Sequence, residues 1–312
     1  MHILHIVDQP VPPLANSGGS NRLVEWLAIE QAKLGIKVSV LSPEGNSTNF
    51  FSHIKCDTSN LSFEEFVSII PKNISAIEHH SGFSDSLFAD VQANFTSVIN
   101  VVHAGVSSKK NSVFVSKSHA RRSDKSVYAY NGVPEEAVLF DPIKAEYLLF
   151  LAKVKRRKKG IKVAINIAKK TKKKLIVAGG RSFRHTATWF NWHPYVKPVG
   201  YINGDDKKRI LSKAKALLVP IEWDEPFGLT VVEAMMSGVP VIAYNRGAMK
   251  ELIVHGVTGF VCESEAEMID AVNKVSYLDP YKIRAHAVGN FSAASMVDRH
   301  LELLKLSSKR SW

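Results

Sequence analysis

Short apolar, β-branched runs alternate with stretches of helical spacing along most of the chain. Ile3–Val7 predicts a first strand, and Leu23, Trp26, Leu27, Glu30 and Leu34 recur at the spacing of a helix over about residues 21–34. Further strands are expected at Lys37–Leu41, Ile74–Glu78, Ser97–Val102, Ser112–Val115 and Val127–Tyr130. The rhythm restarts after Asp141-Pro142. Tyr147–Ala152, Leu175–Ala178, Ala216–Val219 and Val239–Ala243 then read as strands, and Gly160–Lys170 and Gly228–Ser237 as helices. Strand–helix alternation of this kind predicts parallel sheets with helices on their faces. Two doubly wound α/β domains in tandem are expected, over residues 1–146 and 147–290. Residues 291–312, with a last helix at Ala294–Leu304, are expected to return across the junction. Such sheets bind ligands beyond the carboxyl ends of their strands, and a two-domain version places the ligand in the cleft between them.

Composition narrows the class. The chain has 312 residues, 45% of them apolar and 22% charged, which excludes a disordered or low-complexity protein. Cys56 and Cys262 are too few and too far apart for a disulfide scaffold or a zinc ribbon, so a reducing, cytoplasmic setting is expected. The beginning, Met1-His2-Ile3-Leu4-His5-Ile6-Val7-Asp8, lacks a basic leader and reads as a strand. No apolar run approaches the roughly 18 residues of a spanning helix.

The charge is concentrated. The formal net charge is +12, and twelve basic residues lie between Leu151 and Leu175, a segment without a single acid. The remaining 29 bases meet 29 acids. Residues 1–146 alone carry 12 bases and 15 acids. A cluster of this kind attracts phosphate groups, an anionic lipid surface or nucleic acid. Its outer members, Lys169 to Lys174, read equally as a solvated helix face.

The segment Val219 to Ala243 carries the densest chemistry. A strand ends at Pro220, an acidic loop follows, and a helix starts near Gly228. The first-turn amides of that helix, at Gly228, Leu229 and Thr230, lack internal partners and form an anion site suited to phosphate. Glu233 lies one turn beyond Leu229, on the same face. Its carboxylate can accept two hydrogen bonds from a ribose diol. Glu225 precedes the helix and would reach past the phosphates. Taken singly, both acids also read as ordinary residues favoured by a helix dipole.

The whole stretch resembles the C-terminal signature of retaining GT-B glycosyltransferases, the nucleotide-sugar family often numbered four. The resemblance rests on two glutamates, Glu225 and Glu233, with seven residues between them that include Pro226-Phe227-Gly228. It continues through Gly238-Val239-Pro240-Val241-Ile242-Ala243 and Glu251-Leu252-Ile253 to Gly256-Val257-Thr258-Gly259-Phe260. It implies a GT-B fold, two Rossmann-like domains facing a central cleft, with the donor held by the C-terminal one. Glu233 would bind the ribose, Phe227 and the amides of Gly228–Thr230 would border the diphosphate, and Glu225 would meet the sugar hydroxyls. Phe150-Leu151-Ala152-Lys153-Val154, up to Lys158-Lys159-Gly160, resembles the family's basic pair, which neutralises the leaving diphosphate. Lys153 stands where arginine is frequent, and an extra residue before Gly160 leaves Lys158 and Lys159 as alternatives. In the first domain, Gly18 and Gly19 match a glycine-rich loop facing the donor. His103, at a strand end, matches a histidine touching the donor sugar; a buried, hydrogen-bonded histidine is the alternative. His79-His80 ends another strand and reads either as an acceptor-side pair or as core. The turn Tyr130-Asn131-Gly132-Val133 closes the domain. The aromatic stretch Trp189-Phe190-Asn191-Trp192-His193-Pro194-Tyr195 reads as packing or as a contact to acceptor or base.

No Asp-x-Asp pair, Walker loop, Gly-x-Gly-x-x-Gly fingerprint or nucleophile elbow is present. A metal-independent enzyme without cofactor is therefore expected, with a nucleotide-diphosphate sugar as donor substrate. The resemblance implies retaining transfer of a hexose, UDP-sugar favoured and GDP-sugar possible, with catalytic Glu225, His103, Lys153 and Lys159. The acceptor is open: a surface glycan, a lipid-linked sugar or a small molecule, with the lysines resting on an anionic membrane. Transfer to modified DNA bases, with the lysines on phosphates, and a non-catalytic sugar-nucleotide module are the alternatives.

Overall fold

The computed structural model of the protein describes residues 1–13, 19–180, 193–309 and 311–312. They form two compact units, one of Met1–Val133 with Ser292–Trp312 and one of Pro134–Phe291.

In the first unit the strands are β1 (His2–Ile6), β2 (Lys37–Ser42), β3 (Ser52–Lys55), β4 (Ala76–His79), β5 (Val98–Val102) and β6 (Ser112–Phe114). They make one parallel sheet in the order β3-β2-β1-β4-β5-β6. The winding reverses between β1 and β4, which is where doubly wound sheets open toward ligands. Side-chain alternation decides what each face meets. Leu4 and Ile6 of β1 pack with Phe66 and Phe88, from the helices Phe63–Ile69 and Asp85–Asn94. Ile3 faces the other way, toward Leu303 and Leu304 of the last helix, Ala293–Ser307.

The second unit repeats the plan with β7 (Tyr147–Leu151), β8 (Lys174–Ala178), β9 (Val196–Gly200), β10 (Ala216–Val219), β11 (Val241–Tyr244) and β12 (Gly259–Cys262). Their order is β12-β11-β10-β7-β8-β9, again parallel. The helix Ile161–Thr171 buries Ile161, Ala164, Ile165 and Ala168, one face at helical spacing, against Leu148, Phe150 and Val177.

Two elements depart from the sequence pattern. Val127–Tyr130 forms only a single bridge, Tyr128 to Phe114, instead of a strand. Residues 134–146 cluster with the second unit, where Lys144 Nζ donates to the carbonyls of Ser212 and Ser237 at 2.8 Å each. The last helix belongs to the first unit, where Ser97 Oγ donates to its Leu304 carbonyl at 2.9 Å. Among the described residues no helix is long and apolar enough to cross a membrane.

Candidate active site

β10 ends at Val219, and the chain then runs through Pro220–Phe227 into the helix Leu229–Met236. Gly228 caps that helix at φ 112° and no side chain caps it. A Cβ on Gly228 would meet Met249 Cε at 3.0 Å in a conformation that L side chains rarely adopt. The helix therefore opens without a side-chain cap, and the first-turn amides of Leu229 and Thr230 have no intrahelical partner. Phe227 is buried, its ring 6.1 Å from that of Phe291. Its buried side chain anchors the loop just ahead of the helix start.

The two glutamates of the motif both hold lysines. Lys159 Nζ donates to Glu225 Oε2 and lies 5.2 Å from the centre of the Trp223 ring. The Glu225 carbonyl accepts from Ala248 N at 3.0 Å, which fixes the backbone behind that carboxylate. One turn into the helix, Glu233 is only 5% exposed. Its two carboxylate oxygens accept from Lys207 Nζ at 2.6 and 2.7 Å. Lys207 sits on the helix Gly204–Ser212, which the sequence reading did not single out. Its neighbours Asp205 and Asp206 are N-terminal helix acids, so it carried no visible mark as a functional cation.

The basic segment is built against this loop. Arg157–Lys159 form a short 3₁₀ turn ending at Gly160, φ 76°. A Cβ there would sit 1.8 Å from Pro220 O, so only glycine lets the turn close on the strand end. Glu222 N donates to Lys158 O at 2.9 Å and completes the clamp. Arg156, Arg157, Lys158, Lys159 and Trp223 line a cavity of about 320 Å³. Lys153 is exposed on the turn after β7, and its carbonyl accepts from Arg156 N at 3.0 Å. Farther along, Lys170 pairs with Glu265 at 3.0 Å and Lys173 with Glu146 at 3.2 Å, so part of the cluster is balanced by acids from distant sequence.

In the first unit Gly19 opens the helix Gly19–Lys33, while Gly18 lies outside the described residues. So do Trp189, Phe190, Asn191 and Trp192 of the aromatic stretch. His103 follows β5 and is half-buried, with Nε2 3.0 Å from His80 Nδ1. Burial pushes its pKa down to about 4; the nearby His300 and His119 act in the same direction and Glu78 opposes them. His103 is thus neutral at pH 7. His79 points to the opposite face, where its Nδ1 lies 2.8 Å from Asn100 Oδ1, and it belongs to the core.

The segment that carries this motif matches a known family. The description "Glycosyl transferases group 1" matches residues 134–290. The chain belongs to the glycosyl transferases group 1 family. Among family relatives, the alpha-1,3/1,6-mannosyltransferase ALG2 of Dictyostelium discoideum is 27% identical over 229 residues, 64% of this chain and 54% of that protein. Matched segments cover between 6% and 54% of the curated relatives' lengths. AviGT4, a glycosyltransferase involved in Avilamycin A biosynthesis, is similar in fold with a TM-score of 0.77, 19% identity and 99% of each chain covered. Anabaena Alr3699/HepE, solved in complex with UDP-glucose, gives a TM-score of 0.68 at 14% identity, over 98% of this chain and 100% of that one. The GT-B arrangement of two parallel α/β units is common to them.

Proposed function

We propose that this chain is a retaining glycosyltransferase that moves a hexose from a nucleotide-diphosphate sugar, UDP-sugar favoured, to a hydroxyl acceptor. The observation that carries the reading is one local constellation. An uncapped helix start at Gly228 has Glu225 ahead of it, Glu233 a turn inside it, and Lys159 drawn to Glu225. The UDP-glucose in the HepE structure and the mannosyltransferase name of the Dictyostelium relative support a nucleotide-sugar donor.

A departing nucleoside diphosphate gathers negative charge, which fixed cations and oriented amides stabilise without reorganising. Lys153, Lys159 and the amides of Leu229 and Thr230 supply both, so no metal is required. As donor binds, Lys159 exchanges the Glu225 carboxylate for a phosphate. Glu225 is then released to accept hydrogen bonds from the sugar. Glu233 accepts from the ribose diol while Lys207 balances its charge. The acceptor oxygen attacks the anomeric carbon on the face the diphosphate leaves; the carbon–oxygen bond to phosphate breaks and a phosphate oxygen takes the acceptor's proton. The anomeric configuration is retained without a covalent adduct on Glu225. We assign the acceptor to surface glycan or glycolipid assembly, with exposed Lys162, Lys172 and Lys174 resting on an anionic cytoplasmic membrane face.

The test is calorimetric titration with UDP, UDP-glucose, GDP-mannose and ADP-glucose, followed by donor hydrolysis. Lys159→Met and Glu233→Gln should weaken nucleotide binding. Glu225→Gln should keep it and lower donor hydrolysis by about 10²–10³-fold, the usual size for losing one preorganised contact to the reacting centre. Near-normal turnover in both Glu225→Gln and Lys159→Met would sink the assignment.

A further inference from the structure

The parallel register of the first sheet brings four titratable side chains onto one buried face. His5 and Glu78 are direct partners across β1 and β4. His80 lies two residues beyond Glu78, and His103 two beyond Val101, so alternation turns all four toward the same side. That side is covered by the helices Gly19–Lys33 and Ala293–Ser307, which contribute Gln31 and His300. The side chains form a continuous chain. Gln31 Nε2 donates to Glu78 Oε1 at 2.6 Å, and His300 Nδ1 lies 2.6 Å from Glu78 Oε2. His5 Nε2 lies 2.8 Å from Gln31 Oε1, His5 Nδ1 lies 3.1 Å from His80 Nε2, and His80 Nδ1 lies 3.0 Å from His103 Nε2. The facing nitrogens are much closer than the ring centres, which are 5.3 Å apart for His5 and His80 and 5.2 Å for His80 and His103. With ring planes 21° and 16° apart, the imidazoles are therefore bonded end to end in nearly one plane, and are not stacked face on face.

One end of this chain has a fixed polarity. Burial raises the Glu78 pKa, but His300 outweighs it, with help from His5 and Gln31, and the net direction is down, so Glu78 is a carboxylate that only accepts. Gln31 must then point its amide nitrogen at Glu78 and its oxygen at His5. An amide oxygen only accepts, so His5 carries its proton on Nε2 and leaves Nδ1 as an acceptor. The same constraint passes to His80 and then to His103. Reversing the chain would set the Gln31 oxygen against a carboxylate. The far end is His103 Nδ1, which is shielded from water and has no hydrogen-bond partner among the described residues. His103 lines a cavity of about 350 Å³ with Asp8, Ser20 and Ser81. A buried nitrogen without a partner is uncommon enough to require an explanation.

We propose that Gln31, His5 and His80 are positioning residues that lock His103 in its Nε2–H tautomer, so that its Nδ1 accepts a hydrogen bond from a hydroxyl of the bound substrate. The hydroxyl part rests on the glycosyltransferase reading; the tautomer lock does not. Burial lowers the pKa of His5 and, further, of His80, with opposing help from Glu78 at His5. The array therefore carries a direction rather than a charge. The same cluster has a competing use. His5, Glu78 and His80 place ligand atoms within 4.8 Å of one another, the donor types of a metal site.

The test is the ¹⁵N ring spectrum of the histidine-labelled full chain at pH 7.5, with His103 assigned by its loss in His103→Asn. His103 should show a protonated Nε2 and an unprotonated Nδ1. In Gln31→Leu the two nitrogens should move toward the tautomer mixture of a free imidazole; His5→Phe gives the same readout if that variant does not fold. A wild-type His103 protonated on Nδ1, or one unchanged in both variants, overturns the lock. So does added Zn²⁺ that shifts the His5 and His80 resonances stoichiometrically. UDP-glucose hydrolysis should fall about tenfold in Gln31→Leu with UDP affinity unchanged, the loss of one neutral hydrogen bond in the reacting complex. A correct tautomer with no hydrolysis in the wild type would overturn the hydroxyl assignment and leave the lock standing.

Discussion

Replacing Lys207 with methionine keeps an unbranched stem, one atom shorter, and removes the cation from Glu233. Both carboxylate oxygens lose a donor now at 2.6 and 2.7 Å, in a group 5% exposed. Breaking a fully buried ion pair by deleting one partner costs about 3–5 kcal/mol, because the remaining charge keeps its desolvation penalty. Here the Lys207 side chain is 20% exposed, so water reaches the vacated position and Glu233 keeps its other contacts. The expected cost is about 1–3 kcal/mol. For a unit of this size each kcal/mol lowers the melting temperature by about 2–4 °C, so a fall of roughly 2–12 °C is expected in calorimetry. Adding Glu233→Gln to Lys207→Met should recover part of the loss, because no unpaired charge then remains. That recovery separates electrostatics from packing. A Lys207→Met variant within about 0.5 kcal/mol of wild type, or strictly additive single and double variants, would refute the reasoning.

Two further perturbations test other parts of the structure. Gly160→Ala forces a Cβ to 1.8 Å from Pro220 O at φ 76°, so the turn carrying Lys158 and Lys159 must shift. It should lose about 2 kcal/mol or more and bind UDP more weakly, as read by melting and calorimetry. Lowering the pH should destabilise the first unit before its carboxylates titrate. Burial lowers the His79 pKa from 6.5 to about 4, so between those values the unfolded chain binds more protons than the folded one. Stability contributed by neutral His79 is fully present above pH 6.5 and falls as the pH drops toward 4. The full effect is on the order of 3 kcal/mol. Urea midpoints from pH 7 to 4.5 should decline, more shallowly in His79→Gln, and a flat profile would count against it.

Much of the architecture is legible from local pattern. β1, β2, β4, β5, β7, β8, β10 and β11 coincide with apolar runs because a strand inside a parallel sheet is buried on both faces. The strands that the pattern did not reveal, β3, β9 and β12, all lie at sheet edges. There one flank meets solvent and polar residues such as Ser52 and Lys55 are tolerated, as is Pro198 beside the β9 irregularity. Glu225, Gly228 and Glu233 were visible because helix start, acid and turn spacing are all short-range features.

Sequence alone determined the βαβ rhythm, the two-unit plan, the glycine-opened helix start and the concentration of excess charge in one segment. Each depends on residues within a few positions of one another. Only the tertiary structure decided which charges meet. Lys159 and Glu225 are 66 residues apart, and His300 reaches Glu78 across 222. It also decided that residues 134–146 cluster with the second unit and the last helix with the first. It turned His5, one of two histidines in the otherwise apolar β1, into one link of a hydrogen-bonded chain. The reason is register: a parallel sheet aligns residues that are remote in sequence, and the alternation of its side chains then chooses which of them share a face.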